Sequence, residues 1–160
     1  MKKSLKLPIV VLLTIALHSV PALAGDFDIK FGLIKKDTAG KYYVSEETTT
    51  LPLRHKDDNP DFRFGYSVKT QADTSFTSYF VMHFPSMPQQ YTGVMKDAAK
   101  NADAKTVQSP VKTSSGSFTY WMRFDHGDPP GQYKIDIWIN DKLSRTIDFT
   151  VIEAKRVSTS

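Results

Sequence analysis

The side chains with the most chemical reach in this chain are three of its four histidines, His55, His83 and His126, and a set of carboxylates gathered in turn-like stretches. A zinc site needs several imidazole, thiolate or carboxylate ligands converging on one point, and in a sequence it shows as short, fixed spacing. These histidines are far apart and include no His-x-x-x-His pair, so they read as loop or surface residues, and no metal is expected. Asp57, Asn59 and Asp61 imitate the opening of a calcium loop. Pro60 interrupts it, Phe62 takes the place of the required glycine, and Val68 stands where a bidentate glutamate belongs. An Asx-rich turn before a strand accounts for them better. Ser114-Ser-Gly-Ser117 is not a Gly-x-Ser-x-Gly elbow, and no glycine loop for phosphate is present. Paired carboxylates for glycoside hydrolysis meet in space and not in register, but Asp57, Asp58, Asp61, Asp125 and Asp128 lie where turn chemistry alone would put them. With no cysteine in the chain, thiolate nucleophiles, cysteine-type zinc sites, disulfides and a lipid-bearing cysteine are excluded. No catalytic residue, metal ligand or cofactor is therefore assigned, and the expectation is a protein that is not an enzyme.

What remains is an aromatic surplus, 12% of the chain, more than a core of this size clearly requires. If Tyr133, Ile135, Ile137 and Ile139 face inward, Lys134, Asp136 and Trp138 face outward, and the same parity turns Tyr79 and His83 outward on their strand. The candidate ligand or partner surface is therefore Tyr79, His83, Asp136 and Trp138, an aromatic platform flanked by polar groups that suits a sugar ring or a partner's apolar surface. The competing reading is that the long segment between Pro85 and Gly116 folds back and buries Trp138. Trp121 also points outward, on the opposite sheet.

The elements that must carry this surface show as period-two alternation. Phe27, Ile29, Phe31 and Leu33 form one set; Phe62, Phe64, Tyr66 and Val68 a second; Phe76, Phe80, Met82 and Phe84 a third; Phe118, Tyr120, Met122 and Phe124 a fourth. The run Tyr133–Ile139 and the set Leu143, Ile147, Phe149 and Val151 flank Asn140-Asp141 as a hairpin. A Thr- and Tyr-rich stretch from Tyr42 to Leu51 adds a strand. The expected fold is all-β, an immunoglobulin-like antiparallel sandwich of about seven strands, with one long inter-strand loop carrying at most a short surface helix within Val94–Ala104.

The chain opens with Lys2, Lys3 and Lys6, an apolar run from Leu7 to Leu17, and Ala22-Leu23-Ala24. That order predicts a signal peptide over residues 1–24, recognised at Ala22 and Ala24 and cleaved after Ala24. The apolar run is short of the roughly 20 residues a spanning helix needs, so no stable membrane span is expected after cleavage. A single domain is expected over 25–154, with a polar tail at 155–160. The net charge of +4 falls to +1 once the three leader lysines go, leaving 18 basic against 17 acidic side chains. Such a balance gives no footprint for nucleic acid.

Asp128-Pro-Pro-Gly-Gln-Tyr133, followed by Lys-Ile-Asp-Ile-Trp-Ile and a hairpin ending in Ile147-Asp-Phe-Thr-Val151, resembles the last two strands of bacterial immunoglobulin-like domains. In those domains the Gly-x-Tyr step opens the penultimate strand and the tyrosine hydroxyl bonds the preceding backbone. The resemblance thus implies structural roles for Gly131 and Tyr133. The wider pattern runs from the aromatic strand Tyr79–Phe84 through Phe118-Thr-Tyr120 and Phe124-Asp125 to Ile137-Trp138. It resembles a family of exported bacterial proteins known as domain of unknown function 3859, over most of residues 27–152. That resemblance implies a fold and no activity.

The expected function is a binding or interaction module of the periplasm or exterior, with an envelope protein or glycan as partner. Two alternatives stay open: an envelope hydrolase or enzyme inhibitor acting through the 85–116 loop, and an assembly factor or structural subunit that joins partners by strand addition.

Overall fold

The computed structural model describes residues 27–70, 74–89, 99–100 and 105–154. The expected leader, the tail at 155–160 and most of the expected helix lie outside them. The described chain is all β. Its strands are β1 (Phe27–Lys36), β2 (Tyr42–Glu47), β3 (Thr50–Leu53), β4 (Phe64–Thr70), β5 (Ser75–His83), β6 (Ala99–Lys100), β7 (Thr106–Gln108), β8 (Lys112–Ser115), β9 (Ser117–Met122), β10 (Gly131–Ile139) and β11 (Lys142–Glu153). They form two sheets, one of order β2-β1-β4-β9 and one of order β3-β11-β10-β5-β7-β6, with β8 also on β5.

This is an immunoglobulin-like arrangement. Strands β1, β4 and β9 stand as A, B and E of one sheet, and β5, β10 and β11 as C, F and G of the other. The two sheets close on each other through their inward residues. Phe31, Phe64, Tyr66, Phe80, Phe124, Tyr133 and Phe149 are all buried. Their rings interlock: Phe31 of one sheet meets Phe149 of the other at 5.0 Å, Phe64 stacks on Phe124 at 4.4 Å, and Tyr133 stacks on its strand neighbour Phe149 at 5.1 Å. Burying each such ring stabilises by about 1.5–3 kcal/mol before chain entropy is set against it.

Three features depart from the simple alternation. The stretch from Tyr42 to Leu51 is two strands: Thr48 Oγ1 accepts from Thr50 N at 3.1 Å, and this turn hands the chain from one sheet to the other. The expected helix is not formed where the chain is described. Ala99–Lys100 instead pairs with β7, as the thin apolar stripe there gives a helix little to bury. Finally, Leu143 does not join the core. A bulge opposite Ile137 and Trp138 sets Ser144 out of register, so Leu143 pairs with Trp138 and stands 51% exposed on the outer face. Together with β6, β7 and β8, the split raises the expected seven strands to eleven among the described residues.

The β10–β11 turn is as the Asn-Asp pair implied. Both residues have positive φ, 50° at Asn140 and 59° at Asp141, as a two-residue hairpin turn of the I′ kind requires. Asn140 Oδ1 also accepts from Thr77 N at 3.0 Å, which ties the turn to β5.

Candidate functional site

Strands β5, β10 and β11 lie side by side, and their paired residues set out rows on the outer face. Tyr79, Trp138 and Leu143 make one row; Val81, Asp136 and Thr146 the next; His83 and Lys134 a third, extended by Thr106 of β7. The four expected surface residues are therefore together. The Tyr79 and Trp138 rings are parallel within 5°, with centroids 5.8 Å apart. His83 Nε2 lies 2.8 Å from Asp136 Oδ2, and Thr106 Oγ1 is 3.4 Å from His83 Nδ1. Thr146 donates to Asp136 Oδ1 at 2.6 Å, and Lys134 Nζ stands 3.6 Å from Oδ2.

Asp136 is held below the ordinary carboxylate value. Burial acts to raise it, but the bonds from Thr146 and His83 and the charge of Lys134 outweigh burial. The carboxylate, imidazole and hydroxyl form a chain that fixes the polar rim beside the ring pair. The rings are half-buried, so the platform is neither wholly open nor wholly covered. Trp138 Nε1 is buried with no hydrogen-bond partner among the described residues. Leu143, which alternation had assigned to the core, completes the apolar row. Its signal was hidden because a bulge leaves no mark in a hydrophobic pattern.

Trp121 does lie on the opposite sheet, and there it is already capped. The guanidinium groups of Arg63 and Arg123 sit 5.2 and 5.5 Å from its ring, and Tyr42 packs at 5.4 Å. Gly131 and Tyr133 hold the start of β10. Tyr133 donates its hydroxyl to Pro129 O at 2.6 Å, a tyrosine corner. Gly131 has φ of +136°, and a Cβ there would stand 2.9 Å from Pro85 Cβ.

The same end of the sandwich gathers residues that sequence spacing kept apart. His55 bridges Phe124 as a short parallel pair, and Lys56 N donates to Phe124 O at 2.9 Å. Lys56 Nζ closes on Asp125 Oδ1 at 2.6 Å. Asp125 N donates to Asp128 Oδ2 at 2.7 Å. Burial pushes Asp128 up to about 6, aided by Asp125 and opposed by that backbone bond, His55 and Lys56. These ties bring the His55 and His126 rings to 4.4 Å between centroids. Asp58 lies 3.5 Å from His55 and Asp57 3.4 Å from His126. The expectation of scattered surface histidines is thus corrected for His55 and His126, which non-local backbone bonds bring together.

Comparison with family models gives a match to the PM0630 beta sandwich domain over residues 29–152. The chain belongs to that family. Among solved structures, this family member is similar to an immunoglobulin-like protein from Pseudomonas aeruginosa, at 14% identity and TM-score 0.49, covering 81% of this chain and 99% of that one. It is also similar to a beta-glucosidase from Listeria innocua in complex with isofagomine, at 9% identity and TM-score 0.39, covering 79% of this chain. The chain spans 16% of that enzyme's length. Comparison with curated proteins found no match.

Proposed function

We propose that this β-sandwich is an exported, non-catalytic binding module of the bacterial cell envelope and that it holds a glycan on the outer face of its larger sheet. The observation that carries the reading is the parallel Tyr79–Trp138 pair, with Leu143 beside it and the His83–Asp136 pair one to two rows away. A sugar ring offers an apolar C–H face and a rim of hydroxyls. The aromatic row matches the first, and the carboxylate and imidazole match the second. Export rests on the basic, apolar and small-residue zones of residues 1–24. The resemblance to domain of unknown function 3859 belongs to the same reading.

Strand addition is disfavoured at the edges of the larger sheet, where β3 has four residues and β6 two. A hydrolytic role for the Asp136–His83–Thr106 chain is disfavoured by its setting. Thr106 is paired with His83 in a β ladder, and backbone N–H groups engaged in a ladder are not free to serve an oxyanion.

The test is tryptophan fluorescence of the Trp121→Phe variant, which leaves Trp138 as the reporter, titrated with envelope polysaccharide fragments and separately with envelope peptides. A saturable spectral change with a polysaccharide fragment, abolished by Tyr79→Ala, supports the reading. A response to peptides alone transfers the surface to a protein partner, and no response to either overturns the platform.

A further inference from the structure

We propose that His55, Asp58 and His126 form a binding site for a divalent transition-metal ion of the zinc type, at the end of the sandwich away from the β10–β11 turn. One ligand atom from each of the three residues lies within 4.8 Å of the others. Around a four-coordinate zinc with bonds of about 2.0–2.2 Å, ligand atoms stand about 3.3 Å apart. The closure still needed is thus about 1.5 Å at most, within reach of side-chain rotation at His126 and Asp58, whose side chains are 56% and 71% exposed. Asp57 Oδ2, 3.4 Å from His126 Nε2, supplies a second carboxylate beside the same imidazole. It serves there as a further ligand or as the outer partner that orients the ring.

The donor set selects the ion. Two imidazoles with one or two carboxylates suit zinc, nickel or copper, whereas calcium and magnesium require oxygen ligands throughout. The surrounding charge favours a cation as well. Asp57, Asp58, Asp125 and Asp128 face the loop end against Lys56 and Arg123, and Lys56 is engaged with Asp125.

The backbone holds the two histidines before any ion arrives. His55 is fixed by its bridge to Phe124, and Asp58 N and Asn59 N both turn back to His55 O, at 3.1 and 3.0 Å. His126 lies in a turn closed by Asp128 N on Asp125 O at 3.1 Å, and Gly127 O accepts from Gln89 N at 3.2 Å. An ion would therefore cross-link the loop after β3 to the loop before β10.

The experiment is isothermal titration of tag-free, chelator-stripped protein with zinc chloride, with calcium chloride run in parallel, repeated on His126→Ala and Asp58→Asn. Saturable uptake of one equivalent of zinc, a melting midpoint that rises with zinc and not with calcium, and affinity weakened by more than about tenfold in each variant are expected, since even an outer-shell partner is worth about 10–100-fold. No saturable zinc uptake overturns the proposal, as does one-equivalent binding that survives unchanged in both variants. If His126→Ala fails to fold by far-UV circular dichroism, the exposed Asp58→Asn decides alone.

Discussion

The outer face of the larger sheet and the loop end of the sandwich each bring histidine, carboxylate and aromatic rings together, but the ties that do so differ. On the face, Tyr79, Trp138, His83 and Asp136 are neighbours because two adjacent strands are in register, and all but Tyr79 are held by a ladder on both sides. At the loop end, His55 and His126 meet because a buried ring, Phe124, seats the chain and its backbone catches the segment after β3. A face held by a ladder resists the loss of one side chain. A cluster held by one anchor should not.

Phe124→Ala tests that difference most severely. The ring is 2% exposed, stacks with Phe64 and Phe62, and meets Tyr133 edge-on. Its loss should cost about 3–5 kcal/mol in denaturant unfolding. Hydrogen exchange should rise more at 55–59 and 125–128 than along β5 and β10. Equal acceleration in both regions would mean that the loop end is no more dependent on its anchor than the face is on its ladder.

Asp136→Asn is the matching test on the face. Its carboxylate is held below the unfolded value of 3.8. A group shifted that way contributes stability that is fully present above the unfolded value and is lost as pH falls through the folded one. The variant should therefore be less stable by about 1.5–3 kcal/mol at pH 7, as loss of hydrogen bonds to a charged group implies. The two stability curves should begin to converge below pH 3.8. A cost that is flat with pH would show that the carboxylate is not the group being stabilised.

The same contrast explains what could be read from the residues alone. Inward and outward sets on β5 and β10 follow from period two, and the four surface residues were legible because the strands carrying them are long and unbroken. Tyr133 was legible because a tyrosine corner is local, reaching only to Pro129. Leu143 was not, because the bulge at Ser144 is a property of the pairing and not of either strand. The His55–His126 contact was not legible either. It depends on a bridge across 69 positions of sequence between His55 and Phe124, and no spacing rule encodes such a closure.

Tyr133→Phe probes the seam between the two regions, since Tyr133 starts a face strand and pins the loop that carries His126. Removing the hydroxyl leaves Pro129 O without this donor, so a loss of about 0.5–1.5 kcal/mol is expected. The melting midpoint should fall while the Trp138 emission spectrum stays unchanged. An altered Trp138 spectrum would show that the corner organises the face as well as the loop.

The smallest expected effect is a gain, at the turn that closes the face far from the histidines. Asp141 carries a φ of 59°, a conformation that costs a residue with a Cβ roughly 1 kcal/mol and costs glycine little. Asn140 must be kept, because its side chain accepts from Thr77 N, but Asp141 donates to and accepts from nothing in the turn that glycine would forfeit among the described contacts. Asp141→Gly creates the Asn-Gly pair that two-residue turns favour. It should raise stability by about 0.5 kcal/mol, the strain relieved less the entropy glycine adds to the unfolded chain. The gain should appear as a slower unfolding rate with zinc uptake unaltered, because the turn and the loop end share no anchor. A change in zinc affinity would mean that the ladder of β10 carries strain from one end of the sandwich to the other.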